Sequence, residues 1–311
     1  MHVLGIDAGG TKTVCLLADD RGTVLAEGRG RGANLQASGE LELEKVLYEV
    51  MAQAIGDRPW RADAICLGIA GADRQDDVQT VRSIMRRISP GSRVLVVNDA
   101  LVALEAAAPG APGIVIIAGT GSIAYGRNAR GSAARAGGWG HILGDEGSGY
   151  WIGRAALAAV VREADGRGPA TALSGAVLEH FGAETAGALI HLVYHRDVPR
   201  THVAALGPIV QTAASSGDAV ARDILERAAE ELVLAARSVA SRLEMRGEPF
   251  PFVLAGGIFR VVPWLVDELG RRLLEVAPRC HVRPLTEEPA VGAVSLAMAE
   301  ARGGAVIPAY L

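Results

Sequence analysis

The sequence predicts a duplicated α/β fold, and three observations support that class. Three short aliphatic and β-branched runs within residues 2–28, joined by tight turns, indicate a meander of strands. Nearly continuous apolar runs at 63–71 and 93–99 are typical of strands that are covered on both faces. A similar order begins again at 113–126, around a second glycine turn. We therefore predict two similar α/β halves with a cleft between them.

The first half is predicted to follow the order βββαβαβ. Its opening strands are HVLGID, TVCLLAD and TVLAEG. A helix follows at 38–55, where Ser38 is placed to cap the first turn. Five apolar residues share one face of that helix, as a core-facing helix requires: Leu43, Val46, Leu47, Val50 and Ala54.

The second half is predicted to begin with two strands on either side of the turn AGTGS. The later elements are helices near 148–165 and 218–245, a strand at 252–257, a helix near 262–275, the strand HVRPL and a helix at 289–302. We assign residues 1–108 to an N-terminal lobe and 109–288 to a C-terminal lobe. The segment 289–311 is expected to pack back on the N-terminal lobe.

Composition limits the class of protein. Of 311 residues, 50% are hydrophobic and 21% are charged, and the net charge is -4, which is typical of a globular protein. This balance gives no general attraction to nucleic acid or to an anionic membrane, so we predict neither as a partner. No apolar run approaches the roughly 20 residues that span a bilayer, and no leader pattern is evident, which favours a cytoplasmic protein. Cys15, Cys66 and Cys280 are far apart, so we expect buried thiols in a reducing compartment.

The motif GIDAGGTKT places a glycine turn directly after a strand that ends at Asp7. The backbone N–H groups of Gly9, Gly10 and Thr11 are exposed in such a turn and can cradle phosphate oxygens. Lys12, in the same turn, is one of only two lysines in the chain. The alternative is an ordinary hairpin turn, because the P-loop pattern is absent and a strand follows.

The second turn, AGTGSIAYG, satisfies the dinucleotide pattern G-x-G-x-x-G/A at 119–124. That pattern requires a helix that starts at the glycines, whereas SIAYG is typical of a returning strand. We therefore favour a second phosphate-contacting hairpin over a dinucleotide site. A third pair, Gly256 and Gly257 after the strand FVLA, lacks side chains that would keep an adenine or ribose from the backbone.

Asp99 follows a buried strand and begins a helix in the segment VLVVNDALVALEAA. Because the carboxyl ends of strands line the ligand crevice of α/β sheets, Asp99 is placed to accept a proton from a substrate hydroxyl. The alternative is that Asp99 or Asn98 only caps the helix.

The segment GGWGHILGDEGSG, at 137–149, holds six glycines around Asp145 and Glu146. The two carboxylates accept hydrogen bonds, which suits sugar hydroxyls better than phosphate. The alternative is that they cap the helix that follows. His141 in the same segment has no second ligand at a suitable spacing, so a structural or substrate-contacting role is favoured over metal binding.

Five motifs in this order resemble those of the actin-like sugar kinases: GIDAGGTKT, GIAGADR, VVNDA, AGTGSIAYG with AGGWGHILGDEGSGYWIG, and VLAGGIF. More narrowly, the chain resembles the N-acetylglucosamine kinase and BadF/BadG/BcrA/BcrD ATPase family over nearly its whole length. The resemblance implies a duplicated actin-like ATPase (ribonuclease H-like) fold, with two lobes and a central cleft. It also implies ATP-dependent phosphorylation of an amino sugar, with ATP and Mg²⁺ as cofactors and N-acetylglucosamine 6-phosphate as the favoured product.

The resemblance assigns roles to individual residues. Asp7 would hold Mg²⁺ through water, and Asp99 would be the base. The nucleotide would be contacted by Gly9, Gly10, Thr11, Lys12, Thr13, Thr120, Gly121, Gly256 and Gly257. The sugar would be surrounded by Asn34, Asp99, Ser122, Gly138, Trp139, Gly140, His141, Asp145 and Glu146.

The chain departs from the animal N-acetylglucosamine kinases near the acetamido group of the sugar, at Leu35, Gln36, Ile123 and Ala136. Glucosamine, glucose and N-acetylmuramic acid therefore stay open as substrates. Two other functions known on this type of fold are a reductive activase with an iron–sulfur cluster and a sugar-responsive repressor. The cysteine positions and the acidic charge disfavour both. A homodimer is common in the family.

Overall fold

The computed structural model describes residues 1–33, 35–58, 61–71, 75–195 and 198–311. The predicted sugar contact Asn34 and residues 72–74 of the GIAGADR motif lie outside the described residues. The chain divides into two compact units. Unit 1 contains residues 1–115, 125–134 and 285–311, and unit 2 contains 116–124 and 135–284.

The elements are numbered in chain order. The strands are β1 (Val3–Ala8), β2 (Lys12–Ala18), β3 (Val24–Arg31), β4 (Ala64–Ile69), β5 (Arg93–Asn98), β6 (Gly113–Ala118), β7 (Ser122–Arg127), β8 (Ser132–Gly137), β9 (Pro251–Ala255), β10 (His281–Pro284) and β11 (Ala309–Tyr310). The helices are α1 (Leu35–Ile55), α2 (Gln75–Ile88), α3 (Asp99–Ala107), α4 (Gly149–Ala164), α5 (Leu173–Phe181), α6 (Ala188–His195), α7 (Arg200–Ala204), α8 (Gly207–Ser215), α9 (Ala219–Arg242), α10 (Ile258–Val261), α11 (Pro263–Val276) and α12 (Pro289–Arg302).

The sheet of unit 1 has the strand order β3-β2-β1-β4-β5 over the described residues. The first three strands are antiparallel, and β1, β4 and β5 are parallel. Strands β1, β4 and the inner half of β5 are buried, as their apolar runs predict. The predicted order βββαβαβ is confirmed.

Helix α1 covers this sheet with the apolar face that its sequence predicts. All five residues of that face are fully buried: Leu43, Val46, Leu47, Val50 and Ala54. The helical segment begins at Leu35 and is divided by a kink at Gly39, where φ is 77°, so its longer second part starts next to the predicted start at residue 38. The side chain of Ser38, the predicted cap, lies outside the described part of the chain.

Helix α12 packs against the backbones of α3 and β1 within unit 1. A Cβ at Gly292 would lie 2.1 Å from the Val102 carbonyl oxygen, and one at Gly5 would lie 2.3 Å from the Val294 amide. Only glycine allows such close approaches. The helix therefore fixes the carboxyl end of β1 and the residues just before its own first turn.

The second sheet has the order β10-β9-β6-β7-β8-β11 in the described chain. Its strand β8, SAARAG, was not predicted, because it carries neither β-branched nor aromatic residues. Helices α5 to α8 were also missed, since each is short. The predicted limits of α12 are confirmed at both ends.

Helix α4 of unit 2 touches α7 closely. A Cβ at Gly153 would lie 2.0 Å from the Val203 carbonyl oxygen, and Val203 itself is buried. This contact holds α7 against α4. All three cysteines are buried and free, as predicted. None of the described helices combines the length and apolarity needed to cross a membrane.

Candidate active site

The first glycine turn joins β1 to β2 and leaves its tip exposed. It is closed by a hydrogen bond from the Gly9 amide to the Lys12 carbonyl oxygen, at 3.0 Å. A Cβ at Gly10 would meet no atom within 4 Å, so that side of the turn is open, whereas Gly32 packs on the other side, where its Cβ would lie 2.3 Å from the Gly10 carbonyl oxygen. Thr13 is different from its neighbours, because its buried hydroxyl donates to the Arg31 carbonyl oxygen at 2.8 Å. The Thr13 side chain is thus engaged in a hydrogen bond to β3, and its backbone alone belongs to the turn.

Asp7 is an almost buried carboxylate at the end of β1. It is 8% exposed, and no hydrogen bond to it comes from the described residues. Burial, aided by the negative charges of Asp99 and Glu288 and opposed by Lys12, raises the pKa of Asp7 to about 7. A buried carboxylate without donors is stabilised by a cation. The position therefore fits Mg²⁺, which proteins bind with one or two carboxylates, water and substrate phosphates.

This pKa predicts that the ligand-free protein loses stability as pH rises from about 4 to about 7. The Asp7 carboxyl has an ordinary pKa of 3.8, so over this interval the folded state holds a proton that the unfolded state has released. The slope attributable to Asp7 approaches about 1.4 kcal/mol per pH unit. Asp7→Asn should abolish that slope, measured as the difference in unfolding free energy between variant and wild type in urea titrations.

Asp76→Asn, on the exposed side of α2, is the matched control and should leave the pH dependence unchanged. A difference between Asp7→Asn and wild type that is the same at pH 4, 5.5 and 7 would contradict the assignment.

Lys12 is held by a carboxylate from α12 that the sequence did not reveal. Its Nζ lies 2.6 Å from Oε1 of Glu288, the residue just before α12. The other Glu288 oxygen lies 3.6 Å from Nη1 of Arg29 on β3. Arg29 in turn forms a two-point pair with Glu27. Lys12 is half exposed, so its amine is positioned beside the turn and accessible to an anionic ligand.

Asp99 is the first residue of α3, immediately after β5. The cap of α3 is Asn98, whose side chain accepts a hydrogen bond from the Ala100 amide at 2.8 Å. The alternative in which Asp99 is the cap is therefore wrong. Register places Ala8, Ile69 and Asn98 side by side across the parallel strands. Asp99 thus follows the same sheet edge as the first glycine turn, near enough to Asp7 to raise its pKa.

The second glycine turn joins β6 to β7. A strand and not a helix begins at Ser122, which excludes the dinucleotide site. The Gly119 amide donates to the Gly121 carbonyl oxygen at 2.9 Å, and the Gly119 carbonyl oxygen accepts from the Gly149 amide at 2.8 Å. The turn, which also contains Thr120, is therefore tied to the first residue of α4.

Asp145 packs directly over this second turn. A Cβ at Gly121 would lie 2.9 Å from the Asp145 carboxylate, and the Ser122 amide donates to that carboxylate at 3.4 Å. The Ser122 hydroxyl donates to the Glu146 carbonyl oxygen at 2.7 Å. Asp145 is buried and has a left-handed backbone, with φ 59°. Burial raises its pKa, while the Ser122 amide, Arg200 and His141 lower it.

The alternative in which Asp145 and Glu146 cap the following helix is wrong. The cap of α4 is Ser148, whose hydroxyl accepts from the Trp151 amide at 3.2 Å. Glu146 is half-buried and adds to the raised pKa of Glu231, of which burial is the main cause. The Ser148 hydroxyl, and neither of the two carboxylates, therefore caps α4.

His141 and Trp139 lie in the same glycine-rich loop. His141 contacts the ring of Tyr150 edge-on, at 5.3 Å, and its Nδ1 lies 3.3 Å from Nη1 of Arg200. No cluster of three metal-ligating side chains occurs among the described residues. Trp139 is 57% exposed, and the Arg135 guanidinium lies 4.6 Å from its ring centre. Gly138 and Gly140 both have positive φ and shape the backbone between them.

The two glycines of the third pair, Gly256 and Gly257, differ in what surrounds them. Gly256 has φ 109°, and a Cβ there would lie 2.2 Å from the Ala118 carbonyl oxygen at the end of β6. This glycine is required by the fold itself. Gly257 has no such constraint, because its Cβ would approach only the end of the Arg260 side chain, at 3.8 Å.

A model of the BadF/BadG/BcrA/BcrD ATPase family matches residues 4–297. The chain belongs to this family. It is 36% identical over 302 residues to the N-acetylmuramic acid/N-acetylglucosamine kinase of Clostridium acetobutylicum, covering 96% of this chain and 99% of the relative. It is 33% identical over 312 residues to the N-acetyl-D-glucosamine kinase of Dictyostelium discoideum, covering 95% and 97%.

Solved structures place this BadF/BadG/BcrA/BcrD family member among the sugar kinases by fold. A protein from Chromobacterium violaceum, provisionally named an N-acetylglucosamine kinase, matches with a TM-score of 0.78 at 28% identity, covering 94% of this chain and 97% of that one. A ROK family glucokinase from Streptomyces griseus, in complex with glucose and AMPPNP, matches with a TM-score of 0.58 at 18% identity, covering 96% and 98%. The second likeness concerns the fold alone. The predicted fold class is confirmed.

In this family member, the predicted site residues gather into two clusters. The cluster of unit 1 combines the first glycine turn with Asp7 and Asp99, and the structure adds Glu288 and Arg29. The cluster of unit 2 combines the second turn with Asp145 and His141, and the structure adds Arg200. No sequence pattern marks Arg200, which lies 59 positions from His141. Glu288 had one signal, an acidic residue directly before the proline that begins a helix.

Proposed function

We propose that this chain transfers the terminal phosphoryl group of ATP to a hydroxyl of an amino sugar, with N-acetylglucosamine as the favoured acceptor. Two relatives that match almost the whole chain bear the names of N-acetylglucosamine or N-acetylmuramic acid kinases. The observation that carries the proposal is the position of Asp99. Asp99 begins α3 at the same sheet edge as the first glycine turn, close enough to Asp7 to raise the pKa of that carboxyl, and Asn98 is the cap of the helix.

The nucleotide is assigned to the glycine turns. The open backbone at Gly10 and the half-exposed amine of Lys12 suit the terminal phosphates. Gly119 and Gly121 supply a second turn of the same kind. Asp7 would hold Mg²⁺, which neutralises phosphate charge when it is bound. The open backbone at Gly257 suits the adenosine.

The sugar is assigned to Asp99 and to the loop that contains Asp145. The Asp99 carboxylate accepts the proton of the attacking hydroxyl and aims its oxygen at phosphorus. Asp145 is held over the second turn and is buried, so its oxygens are fixed acceptors for sugar hydroxyls. Phosphoryl transfer depends mainly on such positioning, because the reaction needs little covalent help from the protein.

The proposal is tested by ADP release with Mg²⁺ and ATP across N-acetylglucosamine, glucosamine, glucose and N-acetylmuramic acid. We expect sugar-dependent turnover that is highest with an acetamido sugar, and a 6-phosphate product by NMR. ATP hydrolysis that no sugar accelerates would contradict the proposal and favour the activase alternative. Binding of a sugar without any turnover would favour the regulator.

The thiols give the activase no support. Burial raises the pKa of Cys15 to about 12 and also raises the pKa of Cys66, so neither is poised as a thiolate ligand. A cytoplasmic location and a homodimer stay predictions from the sequence and from the family resemblance.

A further inference from the structure

Arg200 brings a positive charge into the cluster that we assign to the sugar. Its Nη1 lies 3.3 Å from Nδ1 of His141, and its charge lowers the pKa of the buried Asp145 carboxyl. A guanidinium has five N–H donors and no acceptor. Within the described parts of the chain, His141 is the only direct polar contact of the Arg200 side chain. That contact involves one guanidinium nitrogen, and the described residues engage none of the other donors.

The backbone that carries Arg200 is fixed. Helix α7 packs so closely on α4 that the Val203 carbonyl oxygen lies where a Cβ of Gly153 would be. One turn earlier, a Cβ at Gly149 would lie 3.2 Å from the Cβ of Ala204. Because the contact with His141 also restrains the guanidinium, its direction is set before any ligand arrives. A pre-organised arginine loses less entropy on forming a hydrogen bond.

The charge balance of this cluster indicates which ligands it accepts. Asp145 is a buried carboxyl whose pKa is raised by burial, and in its ionised form it repels any anionic group placed beside it. On the side of the loop where Arg200 lies, its positive charge attracts an anionic group. A neutral sugar needs no such cation, whereas a sugar with a carboxylate does. An arginine that forms a two-point pair with a carboxylate is the group best suited to the task.

We propose that Arg200 determines acidic-sugar specificity: it binds the carboxylate of an amino sugar acidic at its 3-position, such as the lactyl ether of N-acetylmuramic acid. This inference rests on the proposed amino-sugar kinase function. With N-acetylglucosamine, which is neutral and lacks the lactyl group, Arg200 has no carboxylate to bind. The chain accordingly phosphorylates both sugars, and Arg200 sets the ratio between them.

The test compares kcat/KM for N-acetylmuramic acid and N-acetylglucosamine in wild type, Arg200→Ala and Arg200→Lys. Arg200→Ala is expected to lower kcat/KM for N-acetylmuramic acid about 10- to 100-fold, mainly through KM, since one charged pair is lost. Because Arg200 also contacts His141 and acts on Asp145, kcat/KM for N-acetylglucosamine should fall too, but by a smaller factor, so that the ratio of the two values drops. Arg200→Lys should restore part of the loss, because it keeps the charge without the planar fork. Arg222→Ala, on the exposed side of α9, is the matched control.

A second readout is binding of N-acetylmuramic acid by calorimetry at 20 and 300 mM salt. Salt should weaken binding to wild type and have little effect on Arg200→Ala. If wild type turns over N-acetylglucosamine but not N-acetylmuramic acid, or if Arg200→Ala lowers both sugars equally, the inference is overturned and the proposed function stands. If wild type turns over no amino sugar, the proposed function itself has failed.

Discussion

Replacing Asp99 by asparagine is expected to lower kcat for amino-sugar phosphorylation about 10²- to 10⁴-fold, the range for loss of a general base. The asparagine keeps the shape of the side chain but cannot accept the hydroxyl proton. Because Asn98 is the residue that caps α3, the substitution should leave the helix intact. The measurement is kcat at saturating sugar and Mg²⁺-ATP, together with the thermal unfolding midpoint.

Nucleotide affinity provides the control for this experiment. We expect the Kd for a non-hydrolysable ATP analogue to stay within a few-fold of wild type, because Asp99 is assigned to the sugar. Asp76→Asn, on α2 of the same unit, should change neither value. Turnover by Asp99→Asn at a rate near wild type would show that another group accepts the proton.

The second large effect is expected at the buried ion pair between Arg127 and Glu105. Both residues are nearly inaccessible, and Nη1 of Arg127 lies 2.5 Å from Oε2 of Glu105. Arg127 also donates to the carbonyl oxygens of Ala108 and Ala111, and the Gly110 amide donates to Glu105. This network holds the connection from α3 to β6. Arg127→Met should lower the free energy of unfolding by about 3–5 kcal/mol, because it leaves a buried carboxylate without its cation.

Two further variants separate the unpaired charge from lost packing. The double variant Glu105→Leu with Arg127→Met should recover at least half of the loss, since it removes the orphaned carboxylate as well. Arg271→Met, in an exposed ion pair on α11, should cost less than about 1 kcal/mol. Urea denaturation measures all three. A double variant no more stable than Arg127→Met would show that the charge was not the cause.

The sequence predicted most elements whose local pattern matches their environment. The apolar strands β4 and β5 and the apolar face of α1 were evident because burial on those faces demands apolar side chains. Strand β8 was missed because its neighbours in the sheet, and not its own alanines, determine its conformation. The sequence left open whether Asp145 and Glu146 cap α4, because aspartate, glutamate and serine are all common near helix starts. Only coordinates distinguish Ser148 from Asp145.

The parts of the candidate site that could be predicted are those with a local sequence pattern. Glycine turns at Gly9 and Gly119 are marked by composition, and Asp99 is marked by its place after an apolar strand. Arg200 is not marked, and Glu288 is marked only by its place before the proline that begins α12, because each reaches the site from a distant part of the chain. Lys12 and Glu288 are 276 positions apart, and only the packing of α12 on β1 brings them together. Long-range ion pairs of this kind have no local sequence signal.

The left-handed backbone of Asp145, with φ 59°, has a consequence for engineering. An ordinary side chain in this conformation costs about 1 kcal/mol, and glycine avoids that penalty. Glycine at position 145 would relieve this strain, but it would also leave the buried Ser122 amide without its acceptor and would remove the carboxylate that we assign to the sugar. The strained conformation is therefore retained at a position where the side chain itself is needed.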